Sequence, residues 1–302
     1  MIRRSITGKI ANNLYCLGPE EMPTYLLDGE MPAMFDAGMS FLGEHYVKEI
    51  HNILGSRPLR YLFISHVHFD HCGSTGYLKQ TFPELTVCAS PISAEIVSKP
   101  SALLLINKLS TIPGMTASQR FIPFSIDKVL YDSETIDLGS NGPLQVFSTP
   151  GHTRDMTSFH LPKLQTLIPS EAAGVPAGNG HIFSEFLMDY DAYFQSINRL
   201  AGLTFERILC AHRFVYDGED AAGYFEDAIA QTERFREQIK ELLAKHDNNH
   251  GLVGRIIKAE EYETSTEPKL PEPAYDLNLA AKIKAIDRHL QANNQPQHSA
   301  VL

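Results

Sequence analysis

The sequence predicts an α/β layered domain followed by a helical C-terminal extension, and three observations carry that reading. Strand-length apolar runs rich in β-branched and aromatic residues recur through the first two thirds of the chain. Helical patterns lie between some of them, the alternation that builds sheets covered by helices. From Asp217 the periodicity turns helical, so residues 1–217 are expected to form the layered domain and residues 218–302 an extension packed on it.

The elements follow in order. Residues 43–55 read as a helix, and residues 60–65 (Arg60-Tyr61-Leu62-Phe63-Ile64-Ser65) as the strand after it. Residues 85–89 are a further strand, and an apolar helix over about 102–109 follows Lys99-Pro100. Residues 134–139 read as a strand that ends in the Asn141-Gly142 turn. The runs 144–148, 166–170 and 207–211 are strands, with a helix over 190–201 before the last. In the extension, residues 219–246 carry an apolar face of Phe225, Ala228, Phe235, Ile239 and Leu243. A looser, Pro-bearing stretch over 260–273 precedes a second helix over 277–292, and a polar tail spans 293–299.

Composition narrows the partners. Hydrophobic residues make up 43% of the chain, ample for a buried core. With 36 acidic against 26 basic residues the net charge is −10, which argues against a nucleic-acid backbone and favours a small-molecule substrate. Cys16, Cys72, Cys88 and Cys210 are widely separated and match neither a zinc ribbon nor a disulfide scaffold. The first residues turn polar at once, and the longest strongly apolar stretch, 102–106, is too short to cross a bilayer. A cytoplasmic location without a membrane partner is expected.

The chemistry concentrates in His66-Val67-His68-Phe69-Asp70-His71, directly after a predicted strand. Imidazole nitrogen and carboxylate oxygen suit divalent zinc, and also iron or manganese. His66 and His68 alternate by two and share one side of an extended segment, while Asp70 and His71 sit on the next turn, within reach of a second metal. His152, Glu171 and His212 each stand just past a predicted strand. Singly each has a bland explanation, since a histidine in a Pro-Gly turn is more often a turn residue. Their repeated placement at strand ends is what packing does not explain. Cys72 reads as a buried, inert thiol, and His160 as a core or surface residue. His181, His246, His250, His289 and His298 have no partner at useful spacing.

Taken in order, Phe35-Asp36-Ala37-Gly38, the His66–His71 cluster, Pro150-Gly151-His152-Thr153, an acid some twenty residues later and a final strand-end His212 resemble the metallo-β-lactamase superfamily over about residues 10–216. The resemblance implies a four-layer αββα sandwich with the helical extension attached. It also implies that His66, His68 and His152 hold one metal, that Asp70, His71 and His212 hold another, and that Glu171 bridges them. Asp36 would orient a ligand from behind. Two departures stand out: the bridging acid is Glu171 where the family usually has Asp, and Arg213 follows His212 where it commonly has Gly. Asp155, Glu185 and Asp189 compete for the bridging role at poorer spacing.

Two divalent cations, zinc first with iron or manganese as alternatives, would share a hydroxide that attacks an ester, thioester or lactone carbonyl. Asp70 would carry the proton to the leaving group. The helical extension and the run around Lys99-Pro100 are similar to the quinolone-signal-response thioesterase type within the superfamily, which implies acyl-thioester hydrolysis, with helices around 102–109 and 221–243 walling an apolar pocket. Two other readings stay open: a non-haem iron redox enzyme of the same fold, and a metal-bound regulatory protein with little activity. The C-terminal helices could cover the site or form a homodimer contact.

Overall fold

Side-chain alternation along short strands decides the architecture of the chain, seen here in a computed structural model that describes residues 7–264 and 269–294. The first sheet has the order β1 (Gly8–Ala11), β2 (Leu14–Leu17), β3 (Thr24–Leu27), β4 (Ala33–Phe35), β5 (Tyr61–Phe63), β6 (Thr86–Ala89), β7 (Lys128–Val129). Strands β1 to β4 form an antiparallel meander, and β4 to β7 run parallel. Parallel neighbours need crossovers, supplied by α1 (Gly43–Leu54), by α2 (Phe69–Cys72) with α3 (Thr75–Thr81), and by α4 (Pro91–Val97) with α5 (Pro100–Ser110).

The second sheet starts with β8 (Thr135–Asp137), β9 (Pro143–Ser148), β10 (Thr157–Leu161) and β11 (Thr166–Ser170), all antiparallel neighbours. A small hairpin, β12 (Val175–Pro176) and β13 (Ile182–Phe183), leads into α6 (Tyr190–Ala201). Strand β14 (Arg207–Cys210) then pairs parallel to β11, and β15 (Val215–Asp217) closes the edge. After β15 come α7 (Glu219–Lys245), α8 (His250–Glu261) and α9 (Glu272–Asn294).

Period-two patterning sorts residues between layers. Phe35 and Phe63 point into the core between the sheets, whereas Met34 and Leu62 point to the layer of α1, α3, α4 and α5. On the other sheet Ile168 and Leu209 face the inter-sheet core, while Leu167 and Ile208 pack under α6 and α7. Four layers result, αββα. Phe35, Phe63 and Phe159 join the sheets with ring centroids 5.4–5.6 Å apart, each such pair adding about 0.5–1.5 kcal/mol beyond its buried area.

A further core cluster joins α6 to the C-terminal helices. Ile239 and Leu243 of α7, Val253 and Ile257 of α8, and Leu279, Ile283 and Ile286 of α9 meet Tyr190 and Tyr193 of α6. Helix α8 has no counterpart among the elements expected from periodicity. Its apolar pairs Leu252-Val253 and Ile256-Ile257 are interrupted by Gly251 and Gly254, and Asn249 caps it by accepting from Leu252 N at 3.0 Å. Helix α9 starts five residues earlier than expected, because Pro273 falls in its first turn, where a missing N–H breaks no helical bond. Residues 265–268 of the looser stretch, most of the polar tail and His298 lie outside the described residues. Among the described residues no helix is long and apolar enough to cross a membrane.

Candidate metal centre

Strand direction brings the expected residues to one edge. Strands β9 and β11 are both antiparallel to β10, and β14 is parallel to β11, so all three run the same way. His152, Glu171 and His212 follow their ends, and Asp36 and His66 follow the ends of the parallel pair β4 and β5. The sheets are stitched together there by Thr157 N donating to Ser65 O at 2.8 Å. Side chains on loops at strand ends are held by a rigid frame yet remain open to a ligand.

The His66–His71 segment turns into α2 immediately after His68, so that Asp70 and His71 leave the helix toward the other sheet. Ala37 N donates to His71 O at 2.6 Å and Gly73 N to Gly38 O at 2.8 Å, which pins α2 to the loop after β4. Only glycine fits at position 73: a Cβ there would lie 2.5 Å from both Phe69 O and Ser40 N. Gly151 is under a similar constraint, with φ of 137° and the Tyr193 backbone 2.3 Å from a would-be Cβ. The turn that presents His152 therefore packs directly on α6.

Two groups of metal-competent side chains result. His66, His68, His152 and Glu171 form one, with ligand atoms within 4.8 Å of one another, and Asp70, His71 and His212 form the other on the same criterion. Glu171 lies between them. Its Oε2 is 2.8 Å from His152 Nε2, 3.2 Å from His66 Nε2 and 3.5 Å from His71 Nε2, while Oε1 is 3.4 Å from His212 Nε2. Asp70 Oδ2 is 3.8 Å from His71 Nε2 and 4.0 Å from His212 Nε2.

Outer partners settle which nitrogen of His66, His71, His152 and His212 faces inward. Asp36 accepts from Ser65 N at 2.7 Å, from Ser65 Oγ at 2.8 Å and from His71 Nδ1 at 2.9 Å. Ser65 Oγ, its proton committed to Asp36, is left to accept from His66 Nδ1 at 3.0 Å and Ser170 Oγ at 3.0 Å. His152 Nδ1 donates to Glu185 O at 2.7 Å, and His212 Nδ1 to Glu21 O at 2.9 Å. With these Nδ1 atoms used as donors, the Nε2 lone pairs point into the cluster. His66 Nε2 and His152 Nε2 both face His68 Nδ1, at 3.0 and 3.1 Å. His71 Nε2 is buried without a hydrogen-bond partner among the described residues. Lone pairs converging in this way, with His66, His71, His152 and His212 braced from behind, fit bound cations.

Of the competing acids, Asp155 accepts from Val67 N at 3.0 Å and Ser93 Oγ at 2.8 Å, underneath the cluster. Glu185 turns its carboxylate toward Lys282, and Asp189 caps α6 through Ala192 N. Arg213 is half-buried at φ 65°, its N donating to Glu20 O at 3.0 Å. Asp36 and Ser170, at φ 61° and 51°, are also non-glycine residues in the left-handed region, a strained backbone of the kind that presenting site residues can require. His160 is buried between Gln145 and Thr204 O, and Cys72 is fully buried. His250 and His289 do have partners, Asp287 and Asp191, which the fold brings from distant segments. Ser65, Ser170 and the carbonyls of Glu21 and Glu185 carry no recognisable motif, and sequence reasoning missed them.

Without a cation the cluster stores protons. Burial, with neighbouring His71 and His68, drives His66 well below the ordinary imidazole value, and burial with His152 pushes His68 down to about 4. At His71 burial opposes the charge, but Asp70 and Asp36 outweigh it and raise the ring to about 10. Burial is also overcome at His152 and His212, both raised by Glu171, which is itself held well below the carboxylate range by His152 against its own burial. His71, at about 10, keeps its proton at neutral pH, so a metal must displace it. Zinc uptake near pH 7 is expected to release about one proton or more, and apparent affinity to climb as pH rises toward the His71 value. Calorimetry in two buffers of different ionisation enthalpy reads this; identical heats in both would contradict it.

An αββα sandwich with a histidine and carboxylate cluster at the seam of its two sheets defines a class of metal-centre proteins. A family model described as the metallo-beta-lactamase superfamily matches residues 23–212, and the chain belongs to that superfamily. The uncharacterized protein YobT of Bacillus subtilis is 28% identical over 159 residues, 53% of this chain, which spans 61% of YobT's length. A hydroxyacylglutathione hydrolase of Bartonella tribocorum is 24% identical over 238 residues, covering 78% of this chain and 80% of that one. A metallo-beta-lactamase family protein of Thermus thermophilus shares the fold with a TM-score of 0.65 at 17% identity, covering 93% of this chain and 94% of that structure.

Proposed function

We propose that the protein is a dinuclear metal-dependent hydrolase acting on an ester or thioester bond. The observation that carries this reading is Glu171, whose two carboxylate oxygens reach histidines of both ligand groups within 3.5 Å. His66, His68 and His152 would hold one divalent cation, and Asp70, His71 and His212 the other, with Glu171 shared. Zinc suits this nitrogen-rich donor set, and iron or manganese are compatible with it. When bound, such a pair lowers the pKa of water toward neutrality and polarises a carbonyl oxygen.

The chain's own residues do the rest. Asp70 is the carboxylate best placed to move a proton: its side chain is 24% exposed, against 10% for Glu171. It would take the proton of the attacking water and return it to the departing oxygen or sulfur. Asp36 and Ser65 keep His71 and His66 in one tautomer throughout.

An acyl substrate is supported by the surface beside α2. Helix α5 contacts α2 and turns Ile106 and Leu103 into the core, while Leu104, Leu105 and Leu109 stay 49–68% exposed. Such an exposed apolar stripe, on a helix that neighbours the ligand helix, suits an acyl chain. The other expected wall is different: the apolar face of α7 is taken up by the protein core, with Ala221, Tyr224, Phe225, Ala228, Ile239 and Leu243 all buried. The acylglutathione hydrolase among the relatives points toward the same bond type.

A panel of acyl-CoA, acylglutathione, lactone and phosphodiester substrates tests the reading on zinc-loaded protein. Turnover is expected on the thioesters, rising with acyl length, and Leu105→Asp is expected to raise KM for the longer chains by about tenfold, the effect of about two methylenes. Turnover of the phosphodiester alone would remove the acyl assignment. Oxygen uptake by iron-loaded protein without hydrolysis would favour the redox reading instead.

A further inference from the structure

The C-terminal extension reaches the ligand cluster through one buried ion pair. Glu185 lies in the connection between β13 and α6, and its two polar ends serve different partners. The backbone oxygen accepts from His152 Nδ1 at 2.7 Å, and the carboxylate accepts from Lys282 Nζ of α9 at 2.8 Å. Glu185 and Lys282 are 7% and 9% exposed, 97 residues apart in the chain. The connection is held from both sides. Met188 N and Asp189 N donate to Gly151 O at 3.0 and 3.1 Å, tying it to the His152 turn, while Arg288 of α9 donates to Met188 O. Phe186, next to Glu185, is fully buried in the same cluster as Leu279, Ile283 and Ile286.

We propose that Lys282 is a positioning residue for the metal centre, fixing the His152 ring through Glu185, so that α9 helps to set how tightly metal is held. A buried ion pair seldom adds stability over an apolar pair of the same size, because desolvating both charges offsets their attraction. An apolar residue would fill the Lys282 position and serve packing equally well. What the pair adds is a fixed position for the connection, and with it the orientation of the carbonyl that braces His152. Partners behind ligating histidines are worth roughly 10–100-fold in metal affinity, and Lys282 stands one step further out, so an effect at the lower end is expected.

The inference rests on the metal-centre reading, and one set of variants separates the two. Zinc affinity is measured on the full chain by competition with a chromogenic chelator, alongside the unfolding midpoint of the metal-free form. Lys282→Met and Glu185→Gln are each expected to weaken zinc binding by about tenfold, and Lys282→Arg to bind like the parent. The double variant Lys282→Met/Glu185→Met removes both charges of the Glu185–Lys282 pair. It is expected to recover the unfolding midpoint but not the zinc affinity, and its cobalt-loaded form to show shifted visible bands. Should both single variants, or the double one, bind zinc as the parent does, the positioning role is wrong. If Lys282→Met fails to fold, Glu185→Gln decides on the same criterion. A parent chain that binds no zinc would instead overturn the metal-centre reading.

Discussion

Replacing Asp70 with Asn is expected to lower kcat by about 10²–10⁴-fold, the range for loss of a positioned proton carrier. The fold should survive, because Asp70 sits at the rim with 24% of its side chain exposed and braces no core element. The group formed by His66, His68, His152 and Glu171 does not include it, so a cation there should be retained. The informative readout is therefore a pair of numbers from one preparation, metal per chain and kcat. A large fall in kcat with both cations kept fits a chemical role, loss of the cation at Asp70, His71 and His212 fits a ligand role, and unchanged kcat at full loading contradicts both. A leaving group of low pKa, such as a nitrophenolate, needs no proton, so the deficit should shrink on such a substrate.

The second large effect is expected at Glu171. Replacing it with Ala removes the anion that four imidazoles face within 3.5 Å. His152 and His212 then lose the charge that raises them, and no carboxylate remains between the two ligand groups. Metal content is expected to fall below one ion per chain under mild chelation and kcat/KM to fall by more than about 100-fold, beyond the loss typical of a residue behind the ligands. Glu171→Asp is the informative partner, since it keeps the charge and shortens the reach by one methylene. It should retain metal with activity within about tenfold of the parent, and a full loss would mean that reach, not charge, governs the position. Retention of two ions by Glu171→Ala would refute the shared-ligand role.

Much of this is legible in the chain because strand ends and metal-competent side chains coincide in sequence. Periodicity locates β5, β6, β9, β11 and β14, and the residue after each of β9, β11 and β14 or its near neighbour carries a candidate ligand. The meander β1 to β4 goes unread beyond Asp36. Helix α8 is hidden by two glycines that a packed neighbour tolerates, Gly254 lying 3.6 Å from Ile283 at its would-be Cβ. The layer order comes from the family resemblance, because alternation says that a strand has two faces but not what covers each.

Within the site, ligand types and spacing are readable, while the supports behind them are not. Backbone carbonyls have no sequence signature, so the acceptors at Glu21 and Glu185 emerge only once the chain is folded. Lys282 looks like any helix-surface lysine, yet α9 carries it to a buried carboxylate 97 residues away. The expectation for α7 fails for a related reason: its apolar stripe is real, but α6, β15 and the extension use it before any pocket can.

The most direct test is the number and position of metal ions in a zinc-loaded crystal, read from anomalous scattering at the zinc edge. Two peaks are expected, one among His66, His68 and His152 and one among Asp70, His71 and His212, with a Glu171 oxygen between them. A fully loaded crystal with no peak at this seam, or with zinc bound only by other residues, would contradict the assignment of a dinuclear hydrolase.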